Sequence, residues 1–173
     1  MQRISVVGTT GSGKTTLARQ ICQRLAIPHV ELDALHWEPN WTEVPDEVMR
    51  DRVSQALSGN RWVVDGNLNN DERNIVWSKA DTVVWLDYSL PVIMSRIIWR
   101  TFWRVVTKEN VCNGNRETWK TTFSRDSIIL WALQTYGKRR REYPILLQKP
   151  EYAHLEVLCM RSPKSTQDWL SSL

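Results

Sequence analysis

The chain has 173 residues, of which 42% are hydrophobic and 24% charged, and carries a formal net charge of +4. That length suits one compact domain and that composition excludes wholesale disorder. No apolar run approaches the ~20 residues of a membrane helix, and the opening MQRISVVG has none of the three regions of a signal peptide, so a cytoplasmic protein with no membrane partner is expected.

Arg3 to Val7 is a β-branched run closed by Gly8, and Leu17, Ile21 and Leu25 recur at four-residue spacing between Lys14 and Ala26, which predicts strand, glycine loop and amphipathic helix. The loop, Gly8-Thr9-Thr10-Gly11-Ser12-Gly13-Lys14-Thr15, satisfies G-x-x-x-x-G-K-[ST], and Thr16 continues the nucleotide-binding stretch. Glycines let the backbone turn successive N–H groups around phosphate oxygens, and the helix N-terminus adds positive potential. Lys14, expected in an exposed loop, would reach the β- and γ-phosphates, and the Thr15 hydroxyl would ligate a divalent cation. ATP and Mg²⁺ are the expected cofactors.

Pro28 ends that helix, and His29 to Leu32 is predicted as a second strand with Asp33 at its carboxyl end, where open α/β sheets place their ligands. His36 and Trp37 would line a pocket beside it. Glu38 to Pro45 reads as loop, Asp46 as the cap of a helix carrying Met49, Val53, Ala56 and Leu57, and Gly59 as its stop. A third strand, Trp62 to Val64, runs into Asp65-Gly66-Asn67; Asn69, Asn70 and Asp71 read as a solvent-facing turn. A fourth, Thr82 to Leu86, runs into Asp87, and a fifth spans Leu155 to Met160 before a short helix from about Ser165. Near-continuous apolar strands separated by helices predict an α/β fold, a doubly wound five-stranded parallel sheet.

Between strands four and five the composition changes. Residues 89–149 hold 12 Lys/Arg against 4 Asp/Glu, a net +8, whereas residues 1–88 stand at −3. About 92–141 is read as a helical basic lid inserted in a single domain spanning 1–173. Arg96 and Arg100 share one helix face, with Arg104 continuing the row. The run Lys138-Arg139-Arg140-Arg141 reads as solvated surface, and Trp99, Trp103, Trp119 and Trp131 as the apolar seam of the lid. So basic a segment asks for a phosphate-rich partner, either a nucleotide in a cleft or a nucleic-acid backbone. No helix-turn-helix, zinc-finger or RNA-binding signature favours the second. Cys22, Cys112 and Cys159 show no metal spacing and read as reduced and structural.

With its P-loop, Leu32-Asp33-Ala34-Leu35-His36-Trp37, Trp62-Val63-Val64-Asp65-Gly66-Asn67, Ala80-Asp81-Thr82, Leu86-Asp87, Arg96 with Arg100, Phe123-Ser124-Arg125-Asp126-Ser127 and Arg161-Ser162-Pro163, nearly the whole chain resembles the P-loop nucleotide and small-molecule kinases of the adenylate-kinase-like group. Within that group it is most similar to the bacterial proteins labelled DNA topology modulation or adenylate-kinase-related proteins. The resemblance implies ATP-dependent phosphoryl transfer to a nucleotide or another small-molecule acceptor. It implies that Asp33 contacts the acceptor, that Asp65 supports Mg²⁺ with Thr15, that Arg96 and Arg100 embrace the transferring phosphates, and that Arg125, with Arg139 as a second, is a lid arginine. Adenylate kinases follow Asp-Gly with Phe-Pro-Arg, whereas this chain has Asn67-Leu68-Asn69. The acceptor is therefore open, with Asp33, His36, Trp37 and Asn67 as its expected contacts. The alternative is an ATP-binding, nucleic-acid-associated regulator without small-molecule kinase activity; the oligomeric state is left open.

Overall fold

The computed structural model describes residues 1–67, 69–107, 110–111, 113–116 and 127–173. Its centre is a parallel sheet of β1 (Arg3–Gly8), β2 (His29–Glu31), β5 (Trp62–Asp65), β6 (Thr82–Leu86) and β9 (Glu156–Met160), in the order β2-β5-β1-β6-β9. The five-stranded doubly wound sheet expected from the sequence is present. The chain leaves β1 for one side of the sheet and later crosses from β5 over β1 to β6, so the strand order reverses at β1 and opens a crevice at its carboxyl end.

Side chains alternate across each strand and feed two cores. Ile4, Val6, Val63, Val84 and Leu86 face α1 (Lys14–Leu25), whereas Val7, Trp62, Val64, Val83 and Trp85 face the opposite layer. In that layer α3 (Asp46–Ala56) contributes Met49 and Val53, and α4 (Asn70–Lys79) contributes Val76 and Trp77. The central strands β5, β1 and β6 are buried on both faces, which is why they read as continuous apolar runs rather than alternating ones.

Several local expectations are corrected. β2 ends at Glu31, and Leu32 to His36 form a short helix, α2, so Asp33 sits on the first turn after the strand. The stretch read as plain loop holds a hairpin of β3 (Trp37–Glu38) and β4 (Thr42–Glu43). Asp46 lies inside the first turn of α3, with Pro45 at the cap. The supposed turn at Asn69-Asn70-Asp71 opens α4 through a capping box, in which Asn69 accepts from the Glu72 backbone and Glu72 accepts from Asn69 N–H.

The basic segment contains α5 (Leu90–Thr107), a small hairpin of β7 (Asn110–Val111) and β8 (Asn115–Arg116), and α6 (Ile128–Leu147), so its helices reach beyond the expected 92–141 at both ends. A last helix, α7 (Pro163–Ser171), begins two residues earlier than expected, with Ser162 as its cap. The tryptophan seam is also corrected. Trp99, Trp103 and Trp131 are 63%, 45% and 48% exposed, and the buried line of these helices is Ile93, Ile97, Thr101 and Ala132. Trp119 lies outside the described residues.

Candidate functional site

The loop between β1 and α1 closes on itself through Ser12 N–H donating to Thr9 O, and two positions require glycine. Gly13 has a φ of +96°, and Gly11, at +79°, lies so close to α5 that a Cβ would overlap Ile97. Arg96 of α5 donates to Ser12 O at 2.7 Å and stacks over the Tyr88 ring at 5.2 Å. Ser12 Oγ is buried inside the loop and has no hydrogen-bond partner among the described residues.

Lys14 is 8% exposed, not the exposed lysine the sequence suggests, because α1 tucks its first turn under the cleft. Among the described residues its ammonium makes one long contact, 3.5 Å to Thr9 O. Burial pulls its pKa from 10.5 down to about 8, against the opposing pull of the Asp33 carboxylate. A cation so held gains most from an anion brought into the loop.

One turn on, the Thr15 hydroxyl donates to Asp65 Oδ2 at 2.6 Å, and His29 Nε2 meets Asp65 Oδ1 at 2.6 Å. Asp65 is 2% exposed. β5 lies beside β1, with Val6 opposite Asp65, which is how the sheet delivers this carboxylate to the loop. Thr15 and Asp65 are hard oxygen donors that suit Mg²⁺, a cation held by one or two protein oxygens plus phosphate oxygens. Among the described residues no cluster of three His, Cys, Asp or Glu offers an all-protein cage instead.

A cleft of about 660 Å³ runs along the carboxyl end of the sheet, lined by Thr10 to Leu17, Glu31, Asp33, Arg96, Arg100 and Arg104 and closed on one side by Pro163, Thr166 and Gln167. It brings the loop, Asp33 and the α5 arginine row together. Burial and the nearby Asp65 charge push the Glu31 carboxyl upward on the same wall.

His36, Trp37 and Asn67 stand apart from that lining. His36 meets the Trp37 ring edge-on at 4.9 Å and lies 3.8 Å from Glu43, while Trp37 packs on Trp41 at 5.5 Å. Asn67 accepts from Arg139 instead. Arg125 lies outside the described residues.

Two features escaped the sequence reading. Arg139 donates to Gly8 O at 2.9 Å, and Arg140, though its side chain is 47% exposed, pairs with Asp87 at 2.8 Å, so two bases of the run taken for solvated surface engage groups at the strand ends. Four consecutive helical residues sweep ~300° around the axis, which obliges some of them to face inward. The second feature is a join between hairpins: Asn113 donates to Ala34 O at 2.9 Å and Trp37 O at 2.6 Å, and buried Asn115 donates to Glu38 O at 3.0 Å while accepting from Trp41 N–H at 2.8 Å.

The family model for ATPases associated with various cellular activities (AAA) matches residues 4–76, the part that holds the loop, Asp33 and Asp65. That match falls on the folded β1–loop–α1 unit. Residues 4–76 are similar to a P-loop NTPase domain, and the chain has the fold of the P-loop kinases. It is 29% identical over 114 residues to a shikimate kinase from Sulfurihydrogenibium, a match covering 56% of the chain and 67% of the relative. It is 29% identical over 115 residues to a Thermococcus kodakarensis protein assigned as an adenylate kinase, covering 62% of each. Its fold matches the crystal structure of a Bacteroides thetaiotaomicron shikimate kinase with a TM-score of 0.59 at 13% identity, covering 99% of this chain and 95% of that one. A gluconokinase from Sinorhizobium meliloti matches with a TM-score of 0.53 at 18% identity, covering 99% and 92%.

Proposed function

We propose that this protein transfers the γ-phosphoryl group of MgATP to a hydroxyl or phosphate of a small-molecule acceptor. The observation that carries the reading is that Lys14, Thr15, Asp33, Arg96 and Arg100 all line one cleft. The relatives, all kinases by description, support the reaction class, while their differing acceptors leave this chain's acceptor open.

Gly8 to Thr16 bind the polyphosphate, with backbone N–H groups and Lys14 as donors. Thr15 would hold Mg²⁺ from the cleft lining with Asp65 behind it, through the Thr15 hydroxyl, and the cation when bound would neutralise charge on the phosphates. Asp33 orients the acceptor hydroxyl and takes its proton as the acceptor oxygen bonds to the γ-phosphorus and the bond to the ADP oxygen breaks. Arg96 and Arg100 face the charge that spreads over the transferring group, and fixed guanidinium groups supply rate because little covalent help is needed. His36, Trp37 and Asn67 act one step back, shaping the acceptor wall through the hairpin and Arg139. The helices α5 and α6 close over the phosphates as a lid and keep water from the nucleotide. A cytoplasmic setting follows from dependence on ATP; no helix among the described residues is long and apolar enough to cross a membrane.

The nucleic-acid reading, and with it a topology-modulating role, draws on the same +8 segment. Arg96, Arg139 and Arg140 each engage a protein acceptor instead, which leaves less of that charge for a DNA backbone. The test is a panel of nucleoside monophosphates, sugar acids and other hydroxylated metabolites assayed for ADP release, with Lys14→Ala as the control. Acceptor-dependent release lost in that variant supports the proposal. Salt-dependent DNA retardation with no acceptor turnover supports the regulator.

A further inference from the structure

We propose that His29 is a positioning residue for the cation site: it locks the Asp65 carboxylate so that Asp65 accepts the hydrogen bond of the Thr15 hydroxyl and the lone pairs of Thr15 face the cleft. The inference rests on the functional reading of Thr15 and Asp65 given above.

The geometry is a chain of three side chains from three elements. His29 starts β2, Asp65 ends β5 and Thr15 lies in the first turn of α1. The β2–β5 register sets His29 opposite Val63 and Glu31 opposite Asp65. His29 and Glu31, two apart, therefore point to the same face as Asp65. Each oxygen of Asp65 has its own partner at 2.6 Å, Oδ1 with His29 Nε2 and Oδ2 with the Thr15 hydroxyl. An ionised carboxylate has no proton to give, so Nε2 carries the hydrogen on the His29 side, and Thr15 supplies its own on the other.

Direction matters at Thr15. A hydroxyl has one hydrogen and two lone pairs; with the hydrogen committed to Asp65, both lone pairs are left for a cation. That commitment holds only while Asp65 keeps its orientation. Its side chain is 2% exposed, so water cannot replace a missing donor at Oδ1 without rearrangement. Without His29 the carboxylate relieves the unpaired oxygen by turning, and the bond to Thr15 turns with it. The neighbouring Glu31 is already committed to Arg19 at 3.3 Å. His29 does not line the cleft, so it acts through Asp65 rather than on a ligand. Partners in this position characteristically tune metal affinity about 10- to 100-fold.

The experiment compares the affinity of wild type, His29→Leu and His29→Gln for a non-hydrolysable ATP analogue by calorimetry, with Mg²⁺ and with EDTA. Glutamine carries an amide nitrogen the same number of bonds from Cβ as Nε2, so it restores the donor without the ring. Expected are affinities in EDTA within about twofold of one another, a Mg²⁺-dependent gain reduced about 10-fold or more in His29→Leu, and recovery of most of that gain in His29→Gln. Should His29→Leu fail to fold, His29→Asn, whose amide stops one bond short of Oδ1, replaces it. A full Mg²⁺ gain in the donor-less variant overturns the proposal, as does equal loss with and without Mg²⁺, which marks a purely structural residue. A wild type whose affinity ignores Mg²⁺ overturns the reading of Thr15 and Asp65 itself, and that result is visible before any variant is made.

Discussion

The loop end of the cleft is backbone held by the sheet, whereas the chain beyond Asp33 runs into a pair of short hairpins, outside the cleft lining, joined by two asparagine side chains. At the first end every strand beside the loop is buried on both faces, and Gly11 is pressed against Ile97. At the second, β3–β4 and β7–β8 have two residues per strand and meet through Asn113 and Asn115, more than 70 positions away in sequence. Anion binding needs only N–H groups in a fixed ring, which one continuous segment can supply. Choosing an acceptor needs walls that differ from one kinase to the next, and loops on a rigid scaffold provide them. If this division holds, variants at the two ends separate nucleotide effects from acceptor effects.

Asp33→Asn is the strongest test of that separation. Transfer should fall about 10²- to 10⁴-fold while ATP affinity stays near wild type; calorimetry beside a transfer assay checks it, and a matching loss of ATP affinity would move Asp33 to the metal site. Lys14→Ala should cut transfer about 10²- to 10³-fold from the other end, with ATP affinity also weakened. Its melting temperature should not fall, because the variant removes a buried cation with no acceptor nearer than 3.5 Å among the described residues.

Asn115→Ala should act at the acceptor end alone. It removes the bonds to Glu38 O and from Trp41 N–H, and at about 1 to 1.4 kcal/mol for that pair the acceptor KM should rise about 5- to 10-fold with ATP affinity unchanged. A shift in ATP affinity instead would join the two ends into one unit. The smallest effect concerns pH. Lys14 releases its proton near pH 8 in the folded protein and near 10.5 when unfolded. Between those values the unfolded chain binds more protons, so stability of the ligand-free protein rises with pH by up to about 1.4 kcal/mol per unit; below pH 8 both states are charged and the burial penalty stands in full. Chemical denaturation of wild type against Lys14→Met from pH 7 to 10 should show this slope only in wild type, and saturating nucleotide should flatten it.

The sheet and the loop were legible because their causes are local. A β-branched run, a glycine pattern and four-residue apolar spacing each fix a conformation within a dozen residues, and Gly8 to Thr16 stand where that pattern puts them. The helix after Asp65 was legible too, in the capping box of Asn69 and Glu72, but three polar residues in a row were read as a turn. The run Lys138 to Arg141 reads as solvated surface, with Arg139 singled out only by the family resemblance: four bases in a row announce charge, and only the docking of α6 shows that Arg139 reaches Gly8 and Arg140 reaches Asp87. Asp33, Arg96 and Arg100 could be selected by residue type, and their meeting in one cleft required the fold.

By itself, then, the sequence determined an α/β domain with a phosphate loop on its first strand, because strand alternation, helix period and glycine geometry act between near neighbours. Tertiary structure decided the burial of Lys14, the His29–Asp65–Thr15 chain, the inward turn of Arg139 and the asparagine join between the hairpins. Each of those depends on atoms brought within 3 Å or so from distant segments, and no local preference of the chain encodes such a distance.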